Sequence, residues 1–132
     1  MSNVRLLAVL CVLAMIASCS EKDYTKTIHD PLLYSKTVKK LNNIVLENNF
    51  PPMFASRNYV YAAIAGYECI SAGDSNYRSL YGQIKHMPKM PQPKLGRKID
   101  FQLASLLAFT KVGNAVTFPE GSMMAHYDWL VE

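Results

Sequence analysis

The chain has 132 residues, half of them hydrophobic and 18% charged, with a formal net charge of +4 at neutral pH. That length accommodates one small domain rather than several. The positive balance is too mild to indicate a nucleic-acid partner.

Reading from the amino terminus, Arg5 precedes an uncharged stretch, Leu6 to Ala17, which ends in small residues before Cys19. A positive start, an apolar middle and a small-residue exit form the anatomy of a secretory signal. The stretch falls short of the roughly 20 apolar residues a membrane-crossing helix needs. Ser20-Glu21-Lys22-Asp23-Tyr24 follows it without a stop-transfer pattern. Ile16-Ala17-Ser18-Cys19 resembles a bacterial lipoprotein lipobox, in which the signal is cut just before the cysteine and lipid is attached to its sulfur. A thiolate is a good nucleophile for forming that thioether, and small side chains leave the peptidase room beside the cut. The alternative is an ordinary signal cut near Ala17 or Ser18 that leaves Cys19 unmodified. The lipobox resemblance implies a membrane partner through a lipid anchor at Cys19. Each buried methylene adds about 0.8 kcal/mol of membrane affinity, so two acyl chains hold stably. Glu21 and Asp23 resemble the acidic export tags of bacterial surface lipoproteins, so the expected location is the cell envelope, lipid-anchored at the outer membrane, with the surface-exposed face and the inner face both open. Of three cysteines, Cys11 then leaves with the signal and Cys19 takes lipid. Cys69 remains alone, so the fold stands without an intramolecular disulfide.

The expected organisation is a signal over 1–18, a polar tether over 19–30 and a helical domain over 31–132. Asp30-Pro31 reads as a helix start, with Asp30 as N-cap and Pro31 in the first turn. Leu33, Val38, Leu41, Ile44 and Val45 mark its apolar face. Asn48-Asn49 and Pro51-Pro52 end it. A second helix is predicted from about Met53 to Ile70, stopped by Ser71-Ala72-Gly73-Asp74. Its centre, Tyr59 to Tyr67, has no charge, so it is expected inside a bundle. Ala62, Ala65 and Gly66 would admit a neighbouring helix closely. A short helix is predicted from Tyr77 to about His86. Asp100 caps a further helix, Phe101 to about Phe118, with Leu103, Leu106, Leu107, Phe101 and Phe109 as its apolar stripe. Pro119 and Gly121 break the pattern, and Ser122 to Glu132 resumes it. That last pattern reaches Glu132 with no glycine cap or polar tail. The fold class is all-α, a helical bundle expected to be the amino-terminal portion of a larger helical domain.

Candidate chemistry is sparse. His29, His86 and His126 share no metal-binding spacing; His126-Tyr127-Asp128 reads as half of a metal site or as a surface histidine beside an aspartate. No phosphate-cradling glycine loop and no Gly-x-Ser-x-Gly elbow occurs. Glu68 lies within the most apolar helix, where a carboxyl group needs a hydrogen-bond or cationic partner. It reads either as a paired glutamate fixing one segment against another or as a general acid–base. Lys85, Lys89, Lys94, Arg97 and Lys98 fall among Pro88, Pro91 and Pro93 with no acid between them. That loop is suited to attracting an anionic substrate or phospholipid headgroups, or else is simply solvated.

The run Phe50-Pro51-Pro52-Met53-Phe54-Ala55-Ser56-Arg57-Asn58-Tyr59, continued by the aromatic–alanine helix to Tyr67-Glu68, resembles the early helices of bacterial vanadium-dependent haloperoxidase-like lipoproteins, members of the type-2 phosphatidic-acid-phosphatase superfamily. Tyr77-Arg78-Ser79-Leu80, Asp100–Phe118 and the Phe118-Pro119 exit fit the same pattern, so the resemblance covers about residues 31–119. It implies a helical bundle holding vanadate or phosphate. In that family a lysine upstream of an Arg-Pro pair, a Pro-Ser-Gly-His loop and a Ser-Arg followed within one helix by a histidine bind the oxyanion and supply the attacking and proton-handling imidazoles. This chain has no Arg-Pro and no Pro-Ser-Gly-His, and Ser56-Arg57 meets no histidine until His86. No catalytic or cofactor-binding residue is therefore assigned within it. The resemblance suggests a phosphatase or haloperoxidase, with the reactive centre in a carboxy-terminal region or a partner subunit. The other reading is a small non-enzymatic helical lipoprotein that binds or scaffolds. For the anchor itself, labelled palmitate should enter the wild-type protein and fail to enter a Cys19→Ser variant; equal labelling of both would refute lipidation at that sulfur.

Overall fold

The computed structural model describes residues 24–94, 96, 98–117 and 122–131. Cys19, the signal segment and Arg97 lie outside the described residues. Among the described residues five helices follow in chain order: α1 (Tyr24–Ile28), α2 (Pro31–Glu47), α3 (Pro52–Gly73), α4 (Phe101–Val116) and α5 (Ser122–Val131). No strand occurs among the described residues, only an isolated bridge between Tyr81 and Ile84. The architecture is an all-α bundle.

Helix boundaries follow from local chemistry. The Asp30 side chain accepts from the Leu32 amide at 2.9 Å, and Pro31 lies in the first turn of α2. Asp100 accepts from both the Gln102 and Leu103 amides at 3.0 Å, satisfying two otherwise unpaired donors of α4. Asn49, at φ 51°, turns the chain out of α2 in the left-handed region. The stretch read as a polar tether includes α1, and Ile28 at its end is buried. The short helix predicted over Tyr77–His86 does not form. Gly82 (φ 80°) and His86 (φ 64°) both sit in the left-handed region, which α-helical backbone does not visit.

The largest helix–helix interface joins α3 to α4, and α5 packs on α4 while α2 lies across both. Ala62 and Gly66 are buried at the α3–α4 contact as their small size predicts. A methyl group at Gly66 would lie 2.8 Å from the Tyr34 hydroxyl and 3.2 Å from Ser105 Oγ, so a larger residue would push both neighbours back. The core gathers Leu41, Ile44 and Val45 of α2, Ala62 of α3, Phe109 of α4 and Met123 of α5, with Phe50, Ala55 and Tyr59 packed against it.

Two departures from the apolar pattern have physical reasons. On α2 the buried fourth position is Thr37 (0% exposed) rather than Val38 (37%). A five-residue step from Leu33 rotates Val38 off the stripe that residues 33, 37 and 41 share. Thr37 tolerates burial because its hydroxyl donates to the Leu33 carbonyl at 3.0 Å. Thr110 and Thr117 of the α4 region do the same to Leu106 (2.7 Å) and Gly113 (2.8 Å), leaving a methyl group outward. The second departure is α3, whose uncharged centre predicts burial all round. Met53, Phe54, Val60 and Tyr61 are instead each more than half exposed, because the described helices cover only its opposite side.

α5 is fastened to α2 by His126, whose Nε2 lies 2.9 Å from Thr37 Oγ1. The Thr37 hydrogen is used on Leu33, so the imidazole Nε2–H donates to the hydroxyl. Trp129 stacks on the same ring, with centroids 5.6 Å apart. Burial, and secondarily the Lys40 charge, lower the His126 pKa from its ordinary 6.5. The unfolded chain therefore takes up a proton on this ring more readily than the folded one, and stability falls as pH drops through that ordinary value. Thermal unfolding should hold steady above about pH 6.5 and weaken below it; in a His126→Gln variant the part of the decline starting at that pH should vanish.

Candidate functional site

Among the described residues Glu68 is the most deeply placed carboxyl group, 4% exposed on a helix otherwise apolar at its centre. Its Oε2 accepts from the Ser79 hydroxyl at 2.7 Å and its Oε1 from the Leu80 amide at 2.7 Å. Both oxygens are thus occupied by the segment that follows α3, and the residue is a clamp rather than a free acid or base. Around it the turn is tightly knit. Tyr81 N–H donates to Ser79 Oγ at 3.1 Å, Gln83 Nε2 to the Ser79 carbonyl at 2.8 Å, and Ile84 N–H to the Leu80 carbonyl at 3.1 Å. The Tyr67 hydroxyl donates to the Arg78 carbonyl at 2.9 Å.

Two cavities flank this framework. One, of about 410 Å³, opens between the start of α2, α3 and α4, and is lined by Tyr34, Tyr67, Tyr77, His29, Gln102 and Ser105. His29 Nε2 lies 3.7 Å from Asp100 Oδ2, while Asp100 Oδ1 caps α4. Burial raises the Tyr34 phenol above its ordinary value, against the opposing hydrogen bond with Ser105, so it is a neutral group at pH 7. The second cavity, of about 500 Å³, lies under the proline-rich segment and is lined by Glu68, Cys69, Tyr81, Lys89, Met90 and Phe101. Cys69 forms no disulfide and is half-buried. Burial raises its thiol pKa, and the Glu68 charge adds to the effect, which suits the inert packing role its helix position predicts.

Of the described residues of the predicted basic loop, Lys89 lines a cavity, while Lys85, Lys94 and Lys98 stand in solvent on irregular backbone. His29, His86 and His126 remain apart, and no group of three metal-ligating side chains occurs among the described residues. His126 faces Thr37, not a metal partner. Sequence reasoning missed the Ser79 and Leu80 partners of Glu68. Their only signal was that a buried carboxyl group must find donors somewhere.

Vanadate or phosphate requires several cationic donors converging in one enclosed place. Among the described residues every lysine and arginine is exposed except the half-buried Lys40. The two cavities together offer Lys89 and His29. The described residues do not fit such an anion.

The helices instead form an all-α bundle that resembles part of a haloperoxidase-like fold. The crystal structure of a bacterial vanadium-dependent iodoperoxidase superposes with a TM-score of 0.70 and 29% identity over 74% of this chain. The match takes in 24% of that protein, so this chain spans about a quarter of its length. No protein-family model and no curated protein matches the sequence.

Replacing Glu68 by alanine strands the Leu80 amide and the Ser79 hydroxyl. Losing two hydrogen bonds of this kind should cost about 3 kcal/mol. The amides of residues 79–87 should exchange with solvent markedly faster, which hydrogen–deuterium exchange reads directly; unchanged protection there would refute the clamp.

Proposed function

We propose that this chain is the lipid-anchored scaffold portion of a vanadium-haloperoxidase or phosphatase-superfamily enzyme, with the oxyanion-binding groups supplied by protein outside these 132 residues. The observation that carries this reading is the superposition on about a quarter of an iodoperoxidase. Two further features support it. The cavities lack convergent cations, and α3 presents Met53, Phe54, Val60 and Tyr61 to solvent. Side chains of that size exposed along one helix mark a surface that another element covers. In this reading α3 is an interior helix of the complete fold. Cys19 moors the assembly to the cell envelope.

The test is to read the gene beyond the codon for Glu132 and to assay the purified chain. An in-frame continuation carrying an Arg-Pro pair and a Pro-Ser-Gly-His loop supports the proposal. The chain by itself should neither hydrolyse a phosphomonoester nor oxidise iodide with peroxide. A stop codon, with a soluble monomeric product that melts cooperatively, would instead favour a stand-alone binding or scaffolding lipoprotein. Turnover abolished by a single point change would place a reactive centre within the chain and overturn the proposal.

A further inference from the structure

No aspartate or glutamate occurs between Asp74 and Asp100, while Arg78, Lys85, Lys89, Lys94 and Lys98 all stand exposed in that interval. The same interval holds three large side chains in solvent: Tyr77 (48% exposed), Tyr81 (50%) and Ile84 (40%). A solvated loop kept for solubility has no reason to display them. Nor are they loosely held. Glu68 pins Ser79 and Leu80, Tyr81 is bridged to Ile84, and the Met87 amide closes the turn on the Ile84 carbonyl at 3.2 Å. Tyr81 and Lys89 line one cavity, which brings the aromatic tip and the basic stretch of the segment together.

We infer that the Tyr77–Lys98 segment is a docking surface for an anionic phospholipid membrane. Tyrosine rings favour the headgroup layer, where the ring is apolar and the hydroxyl wet. Each lysine or arginine near an anionic bilayer gains about 1 kcal/mol. The turn is built before it meets the bilayer, so little conformational freedom is lost on contact. The inference does not rest on lipidation at Cys19, and it requires that any protein completing the proposed enzyme leave this segment uncovered. It concerns how the folded body lies on the membrane, whatever moors it.

The test measures binding of the full chain to vesicles of phosphatidylcholine alone and of phosphatidylcholine mixed with phosphatidylglycerol. The amino terminus, with Arg5, is common to every variant compared, so the charge-reversal variants separate its contribution from that of the segment. Binding to the anionic vesicles should be tighter by about tenfold or more at low salt, with the preference shrinking as salt rises. Reversing Lys85, Lys89 and Lys94 to glutamate should abolish the preference. Reversing Lys39, Arg57 and Lys111, which changes the net charge equally, should keep it. A Tyr81→Trp variant should shift its emission to the blue with anionic vesicles only. Equal binding to both vesicles, loss of preference in the control reversal, displacement by an oligonucleotide as effective as by lipid, or a position-81 tryptophan that is unresponsive because another part of the protein covers it, would each overturn the inference.

Discussion

Everything else in this molecule is arranged around the close approach of α3 to α4. Two helices come this near only where side chains are small, and Ala62 and Gly66 supply that relief on α3. Ser105 and the Tyr34 hydroxyl occupy the space a larger residue at 66 would take. Once that pair is seated, α5 has a surface to lie on, α2 can cross, and both cavities are defined as the gaps left at its margins. The same pairing fixes which side of α3 faces inward and so leaves Met53, Phe54, Val60 and Tyr61 outward.

Glu68 extends this frame beyond the helices. It lies in α3 yet holds the segment after it, converting irregular backbone into a shaped turn. The bundle thus comprises a helical pair that sets the core and a carboxyl group that sets the periphery. The second cannot act unless the first keeps it dry, because in water its acceptors would be satisfied by solvent.

Much of the fold was legible in the residues. Asp30 and Asp100 sit where their side chains cap α2 and α4, and the asparagine–proline run after Glu47 ends α2 as local backbone preference demands. The apolar spacing of Tyr77, Leu80, Tyr81 and Ile84 suits a helix, yet residues 77–86 do not form one. What decides their conformation is a contact to Glu68 across the chain, which no local pattern records. Val38 was misplaced for a related reason: a hydrophobicity pattern scores valine above threonine and does not register that a threonine can satisfy its own hydroxyl. For the candidate site, Glu68 was legible as a residue needing donors, but not which donors. The basic segment was legible by composition. Its pairing with Tyr81 and Ile84 was not, because the turn that presents them exists only in three dimensions.

Thr37, Thr110 and Thr117 each direct their single hydroxyl proton to a carbonyl of their own helical region. Towards any other helix, such an oxygen has only lone pairs left to offer. It has a polarity: it welcomes a donor and rejects a carbonyl or carboxylate. At Thr37 the imidazole N–H of His126 meets that demand. At that contact α2 and α5 are therefore matched by the sense of a hydrogen bond as well as by shape.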